Sequence, residues 1–118
     1  MTRTILIIAT IWLAVSAYAV EPLEKSGPPV SMYGIGAKET CGSFVRSLNT
    51  PNYIRYFDYS AGFVTAQNMR PDSGGNILSG ADLNDAMLVV EKYCRDNPMT
   101  GFINGLNHLI KNLKNQSE

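Results

Sequence analysis

From Ala37 onward, apolar residues recur at the three- and four-residue spacing that is typical of amphipathic helices. A first short helix is predicted there, and its apolar face holds Cys41, Phe44, Val45 and Leu48. Residues 49–52 interrupt the pattern, and Pro51 suits the first position of a following helix. The pattern therefore predicts a turn between two helices at this point.

The second predicted helix spans residues 51–69 and is apolar on two sides. One face holds Ile54, Phe57, Ala61 and Val64. Roughly the opposite face holds Tyr56, Tyr59, Phe63 and Ala66. Such a helix is either central in a bundle, or buried on one side while the other side faces a partner. Gly62 costs about 1 kcal/mol relative to alanine within a helix, so we expect another backbone or a large ring to pack there.

Residues 70–80 are predicted to form a loop, because proline, aspartate, serine and glycine all favour turns. Ser79 followed three residues later by Asp82 is a variant of the capping box, and it predicts the start of a third helix. That helix ends near Arg95. Its apolar stripe holds Leu83, Ala86, Met87, Val90, Tyr93 and Cys94.

A fourth helix is predicted to start with Asn97 as N-cap and Pro98 at the first helical position. Its apolar arc holds Met99, Phe102, Ile103, Leu106, Leu109, Ile110 and Leu113. Lys111 and Lys114 complement the helix dipole in its last turns. His108 is predicted to project to the solvent on the opposite side.

The chain as a whole is predicted to be an all-α, four-helix domain over residues 37–118, preceded by two other segments. No strand-like alternation occurs from Ala37 onward. Residues 20–36 contain three prolines and three glycines without periodicity, which predicts a flexible arm. Residues 1–19 combine Arg3, an apolar run and an Ala-Tyr-Ala close, which is the pattern of a cleavable signal peptide. The apolar run is shorter than the roughly 20 residues that a bilayer requires. We therefore expect export to the periplasm, or secretion.

Two cysteines, Cys41 and Cys94, remain after such cleavage. An even count in an exported chain predicts a disulfide, and each thiol lies on the apolar face of its helix. Closing a loop of about 53 residues removes unfolded-state entropy worth roughly 4 kcal/mol in the chain-entropy model. Two thiols and one histidine without CxxC or HxxxH spacing predict neither a metal site nor a redox-active pair.

Charge and motifs exclude several function classes. Without Arg3, nine basic residues face ten acidic ones, and no basic run is present, which argues against a nucleic-acid partner. Hydrolase, zinc-protease and phosphate-binding motifs are missing from the sequence. We therefore expect a protein that is not an enzyme, has no cofactor and binds another protein.

Four short motifs carry a family resemblance, and they read Cys41-Gly42-x-Phe44, Tyr56-x-x-Tyr59-x-x-Gly62-Phe63-x-x-x-x-Asn68, Tyr93-Cys94-x-x-Asn97-Pro98 and an apolar closing helix. Over about residues 40–113 the chain resembles the Rap/Tai family of periplasmic immunity proteins of type VI secretion. It departs from that pattern at Tyr59, where members often have tryptophan. The chain resembles more distantly the Hde acid-stress chaperones, which are small disulfide-bonded helical proteins.

The resemblance implies occlusion of a secreted, peptidoglycan-cleaving effector. For the contacts with such a partner we select Arg70, Asp72 and Asn76 in the loop over residues 70–80. Two other functions stay open: a holdase activated by low pH, and an envelope assembly factor that docks through Tyr56, Tyr59 and Phe63. The same three aromatic residues, paired with a second copy, would make a homodimer.

Overall fold

Five α-helices follow one another in the described part of the chain. The computed structural model describes residues 29–117, so the predicted signal peptide (residues 1–19) and residues 20–28 of the predicted arm lie outside the described residues. All five helices belong to the compact unit Ser31–Glu118. They are α1 (Ile35–Lys38), α2 (Cys41–Ser47), α3 (Tyr53–Asn68), α4 (Leu83–Asp96) and α5 (Phe102–Gln116). The all-α fold predicted from the sequence is confirmed.

Three aromatic rings form the centre of the core. The ring centroid of Phe44 lies 5.4 Å from that of Tyr56 and 4.9 Å from that of Phe102. Tyr56 and Phe102 meet edge to face at 5.1 Å. Such tilted and edge-on pairs are the favoured arrangements of aromatic side chains. Because the three rings come from α2, α3 and α5, they hold three helices together.

Helices α4 and α5 pack closely at Gly105. A Cβ atom at this position would lie 3.0 Å from Cys94 Sγ and 3.0 Å from Val90 Cγ1. The missing side chain therefore allows the backbone of α5 to approach the disulfide. Leu106 and Leu109, on the same helix, are buried in the core.

The predicted disulfide is confirmed, and it joins the start of α2 to the end of α4. Cys41 and Cys94 are bonded, and both are fully buried. Next to it, the amides of Cys41 and Gly42 donate to the carbonyls of Thr100 and Pro98, each over 2.8 Å. The first amides of a helix have no partner within that helix. The segment before α5 therefore supplies the acceptors that the N-terminus of α2 requires.

This contact explains why the predicted start of the fourth helix was wrong. Asn97 is the C-cap of α4, and its side chain donates to the carbonyl of Tyr93 over 2.9 Å. Helix α5 begins only at Phe102, with Gly101 as N-cap. Between them, the carbonyls of Pro98 and Thr100 accept hydrogen bonds from the N-terminus of α2, and the segment forms a turn in which the Thr100 amide donates to the Asn97 carbonyl. Met99, predicted in the apolar arc, is 90% exposed for the same reason.

The start of α4 also differs from the prediction. Asp82, not Ser79, is the N-cap, and its Oδ1 accepts a hydrogen bond from the amide of Asn84 over 3.0 Å. Ser79 and Gly80 have positive φ values of 50° and 88°, which place them in the left-handed region outside any helix. The loop therefore continues to the residue before α4.

The flexible arm was predicted to extend to residue 36, but helix α1 already begins at Ile35. The predicted boundary between arm and domain is therefore corrected. Ile35 is buried and belongs to the core cluster. A Cβ atom on Gly36 would overlap the ring and hydroxyl of Tyr59. Gly62, where we expected a backbone or a ring to pack, has open space around it. The glycine that receives a ring of α3 is thus Gly36.

Candidate binding surface

The loop between α3 and α4 is held by side chains that bond to its own backbone. Ser73 Oγ lies 2.8 Å from the carbonyl of Asn68 and 2.8 Å from that of Arg70, and it accepts from the amide of Gly75 over 3.1 Å. Asn68 Oδ1 accepts from the amide of Ile77 over 2.9 Å. Because Asn68 ends α3, these bonds fix the loop to the helix that precedes it.

A second set of bonds shapes the distal half of the loop. Asn76 Oδ1 accepts from the amide of Leu78 over 3.2 Å, and the Asn76 carbonyl accepts from the amide of Ser79 over 3.2 Å. Gly74 and Gly75 have φ values of 71° and 84°, a region that glycine enters without strain. The loop is therefore built from defined turns, and its residues are ordered before any partner binds.

A pocket of about 150 Å³ lies between this loop and the C-terminal half of α5. Its apolar wall consists of Ile77, Ile110 and Leu113, all half-buried. Its polar wall consists of Gln67, Arg70, Asp72, Ser73, Asn76, Ser79, Lys114 and Ser117. The apolar wall is the floor of this pocket and the polar wall is its rim, which is the usual composition of a site that receives a side chain of a partner.

The structure brings together the three loop residues selected from the sequence. Arg70, Asp72 and Asn76 are exposed, and all three line this pocket. Arg70 Nε lies 3.4 Å from Asp72 Oδ1, which makes an exposed ion pair at the rim. The residues that the sequence did not indicate are those of α5, whose position beside the loop depends on tertiary packing.

The aromatic residues selected on α3 do not form a free surface. Tyr56 is 5% exposed and lies in the core. Tyr59 and Phe63 are half-buried and pack against that core. Helix α3 turns these rings towards α1, α2 and α5, while Ile54 from its other face is 57% exposed. The interpretation of Tyr56 as a docking residue, or as part of a homodimer contact, is therefore wrong.

Burial also sets the acid–base state of two tyrosines. The pKa of Tyr56 is raised, first by burial and then by the negative charge of Glu39, whose Oε2 accepts its hydrogen bond over 3.4 Å. The pKa of Tyr53 is raised by burial and by the charge of Glu91. Both phenols are therefore protonated at neutral pH and act as packing groups and hydrogen-bond donors.

An open groove of about 510 Å³ runs along the neighbouring side of α5. It is lined by Gln67, Arg70, Tyr93, Asn104, Asn107, His108, Ile110, Lys111 and Lys114. His108, predicted to face only solvent, is half-buried and stacks on Tyr93 with ring centroids 4.7 Å apart. Its Nε2 lies 3.4 Å from Asn112 Nδ2. The sequence signal for this groove is the spacing of Asn104, Asn107, His108 and Lys111 along one helix face.

Residues 29–117 contain neither a metal-binding cluster nor a membrane-spanning helix. No group of three or more histidine, cysteine, aspartate or glutamate side chains in this range is placed to hold a metal ion. None of the helices in this range has both the length and the apolar character needed to cross a membrane. In a wider comparison with known proteins, no family model, no curated protein and no solved structure matches this chain.

Proposed function

We propose that this chain is an exported binding protein, without enzymatic activity, that occludes a cell-wall-degrading effector. The proposal adopts the role that its resemblance to Rap/Tai-type immunity proteins implies, and it includes export through the predicted signal peptide. The observation that carries it is the loop over residues 70–80. This loop is ordered by its own hydrogen bonds and stands next to a pocket with an apolar floor.

Order in the free loop favours tight binding without chemistry. A flexible loop loses conformational freedom when it binds, and that loss weakens the complex. Here the amides of Gly75, Ile77 and Leu78 already have acceptors within the loop or at the end of α3. The loop can therefore be inserted into a partner with little further ordering, which is what an inhibitor that acts by occlusion requires.

The disulfide supports the compartment in this proposal. Disulfides persist in oxidising compartments such as the periplasm and are rare in the cytosol. Cys41 and Cys94 are bonded at the centre of the domain, where they join α2 to α4. A domain that depends on this bond is suited to a space outside the cytoplasmic membrane, where a secreted effector acts.

The acid-activated holdase has less support from the structure. Its trigger would be carboxylates whose protonation loosens the fold. The buried polar residues of the described chain are Ser47 and Ser60, so none of them is acidic. The two ion pairs found within residues 29–117, Arg70–Asp72 and Arg95–Glu91, both lie at the surface, although the Glu91 side chain is half-buried. Exposed pairs contribute about 0–1 kcal/mol each, so their loss in acid leaves the core intact.

The same two ion pairs provide a matched test of the occlusion role. Oxidised protein covering residues 20–118 serves as bait for periplasmic and secreted proteins at neutral pH. One variant combines Arg70→Ala with Asp72→Ala at the pocket. The control combines Glu91→Ala with Arg95→Ala on α4. Each double change removes one cation and one anion, so the net charge of the bait is the same in all three proteins.

We expect the wild type and the α4 control to retain one stoichiometric partner, and the pocket variant to lose it. The retained partner should degrade isolated peptidoglycan sacculi, and an equimolar amount of wild-type bait should stop the fall in turbidity. A partner that both variants retain equally would contradict the assignment of the surface. A partner with no activity on sacculi, or with activity that the bait does not change, would contradict occlusion of a cell-wall enzyme.

A further inference from the structure

We infer that the groove along α5 binds an acidic polypeptide segment of the partner. This inference rests on the proposed function, because it names the chemistry of the protein that the loop occludes. Arg70, Lys111 and Lys114 contribute three positive charges to the groove. Its other six lining residues are Gln67, Tyr93, Asn104, Asn107, His108 and Ile110, so no carboxylate is among them.

The lining of this groove carries one charge sign, whereas other depressions described within residues 29–117 mix both signs. Lys38 and Arg55 line one together with Glu39 and Asp58. Lys92 and Arg95 line another together with Glu91 and Asp96. The whole chain has ten basic and ten acidic residues. A cationic groove on a neutral protein is a local feature, and complementary charge at an interface steers association and fixes its orientation.

The uncharged lining residues favour a polypeptide over a polyanion. The amide side chains of Gln67, Asn104 and Asn107 each both donate and accept hydrogen bonds, as the backbone of a peptide does. Ile110 and Tyr93 provide apolar surface for a side chain. Three cations are few for duplex DNA, which carries a negative charge about every 1.7 Å along its axis.

The groove is continuous with the loop pocket. Gln67, Arg70, Ile110 and Lys114 line both. A partner seated on the loop would therefore extend directly over α5. Asp72 pairs with Arg70 on the pocket side, whereas no carboxylate of residues 29–117 lies within 4.0 Å of the Lys111 amine. The same holds for the Lys114 amine, so Lys111 and Lys114 are the two cations of the groove that can pair with an incoming acidic side chain.

The test uses a capped peptide of four Glu-Ala repeats and its Gln-Ala counterpart. Backbone amide spectra of the oxidised, isotope-labelled protein over residues 20–118 are recorded during titration in 20 mM salt. We expect the acidic peptide to shift the signals of residues 67–70 and 104–114, and the neutral peptide to leave them unchanged. The variant Lys111→Gln with Lys114→Gln should bind about fivefold more weakly, because it loses two exposed charge pairs that each contribute modestly.

A matched control combines Lys38→Gln with Lys92→Gln, which removes the same charge from other surfaces. Equal weakening by both double variants, or shifts spread evenly over the domain, would overturn the inference, because the peptide would then respond only to net charge. Stronger binding at the groove of a 12-base-pair DNA duplex, or of vesicles containing phosphatidylglycerol, would overturn it in favour of nucleic acid or membrane.

The groove and the occlusion role fail in different ways. If the acidic peptide binds the groove but no effector is captured, the groove stands and the proposed function fails. If Lys111→Gln with Lys114→Gln captures the effector as well as the wild type does, the groove inference fails and occlusion through the loop stands. Weakened capture by this variant, together with capture by the Lys38 and Lys92 control, supports both.

Discussion

At the scale of single residues, the helical glycines Gly62 and Gly105 show how position decides the effect of the same side chain. Gly62 on α3 is surrounded by open space, whereas Gly105 on α5 faces Cys94 Sγ and Val90 Cγ1. Inside a helix, alanine contributes about 1 kcal/mol more to stability than glycine does. At Gly62 nothing opposes this gain. At Gly105 the added methyl group meets two fully buried neighbours, and overpacking typically costs about 1–3 kcal/mol.

We therefore predict opposite effects for two identical substitutions. Gly62→Ala should raise the free energy of unfolding by about 1 kcal/mol, and Gly105→Ala should lower it by about 1 kcal/mol or more once overpacking outweighs helix propensity. Urea unfolding of the oxidised protein, followed by circular dichroism, measures both. A loss of stability in Gly62→Ala would mean that another group packs on that face of α3.

The raised pKa values of Tyr53 and Tyr56 predict how stability changes at high pH. A group with a higher pKa in the folded state binds its proton more tightly there, so its contribution is complete below the unfolded value. That contribution is lost as the pH rises through the folded value. Since an unfolded tyrosine titrates near pH 10, we expect stability to decline above about pH 10.

Absorbance at 295 nm should show the corresponding late ionisation. Replacing Tyr53 and Tyr56 by phenylalanine should remove the late part of the titration. A titration in which the double variant loses an early component would contradict the directions derived from burial and from the neighbouring glutamates.

At the scale of elements, Asn68 connects the end of α3 to the loop. Its side chain accepts from the amide of Ile77, and its carbonyl lies 2.8 Å from Ser73 Oγ. Asn68→Ala leaves the Ile77 amide without this acceptor. A hydrogen bond of this kind contributes about 0.5–1.5 kcal/mol, so we expect hydrogen exchange in residues 70–80 to accelerate while α4 and α5 stay protected.

Thr65→Ala is the control for this prediction, because Thr65 is exposed on the same helix and its hydroxyl donates to the carbonyl of Ala61, within α3 and away from the loop. Mass-spectrometric exchange compares the two variants with the wild type. If both variants loosen the loop equally, its order depends on the stability of α3 and not on the Asn68 side chain.

The elements that the sequence predicted well are those whose pattern is local. Periodic apolar positions placed a helix over residues 51–69, close to the observed α3, and turn-forming residues placed the loop. The predicted start of α4 was wrong because Asp82, not Ser79, caps the helix by accepting from the amide of Asn84. The predicted start of α5 was wrong because the segment before it bonds to a distant helix. Asn97 resembles an N-cap, but the carbonyls of Pro98 and Thr100 bond to α2. Helix α1 was missed because a single four-residue turn has no periodicity to detect.

The residues of the candidate site likewise divide into those with a local sequence pattern and those placed by tertiary packing. Arg70, Asp72 and Asn76 could be placed in one loop because a segment rich in turn residues is visible in the sequence, and their role in binding stays a prediction. The groove was not found, since it requires α5 to lie beside that loop. Tyr56 was misplaced because a helix apolar on two sides does not reveal which side is covered. Its contacts with Phe44 and Phe102 exist only in the folded domain.

At the scale of the whole molecule, the aromatic packing and the disulfide contain no carboxylate, and half-buried Glu39 touches this core by accepting a hydrogen bond from the Tyr56 hydroxyl. Rings from α2, α3 and α5 meet around Phe44, and the Cys41–Cys94 bond adds a covalent link between α2 and α4. The ion pairs of the described chain are on the surface. Acid therefore removes surface attraction, while aromatic packing and the disulfide remain.

We predict that the oxidised protein over residues 20–118 keeps its fold at pH 3. Near-ultraviolet circular dichroism of its tyrosines and far-ultraviolet helix signals should match those at pH 7, and the protein should not bind anilinonaphthalene sulfonate. The reduced protein is the control, because without the disulfide it loses roughly 4 kcal/mol in the chain-entropy model and should lose its tyrosine signal in acid. If the oxidised protein lost its tertiary signal and bound the dye at pH 3, the holdase would be better supported than occlusion of an effector. The domain would then expose apolar surface on acidification, as a holdase must, and rigidity of the loop would no longer favour occlusion.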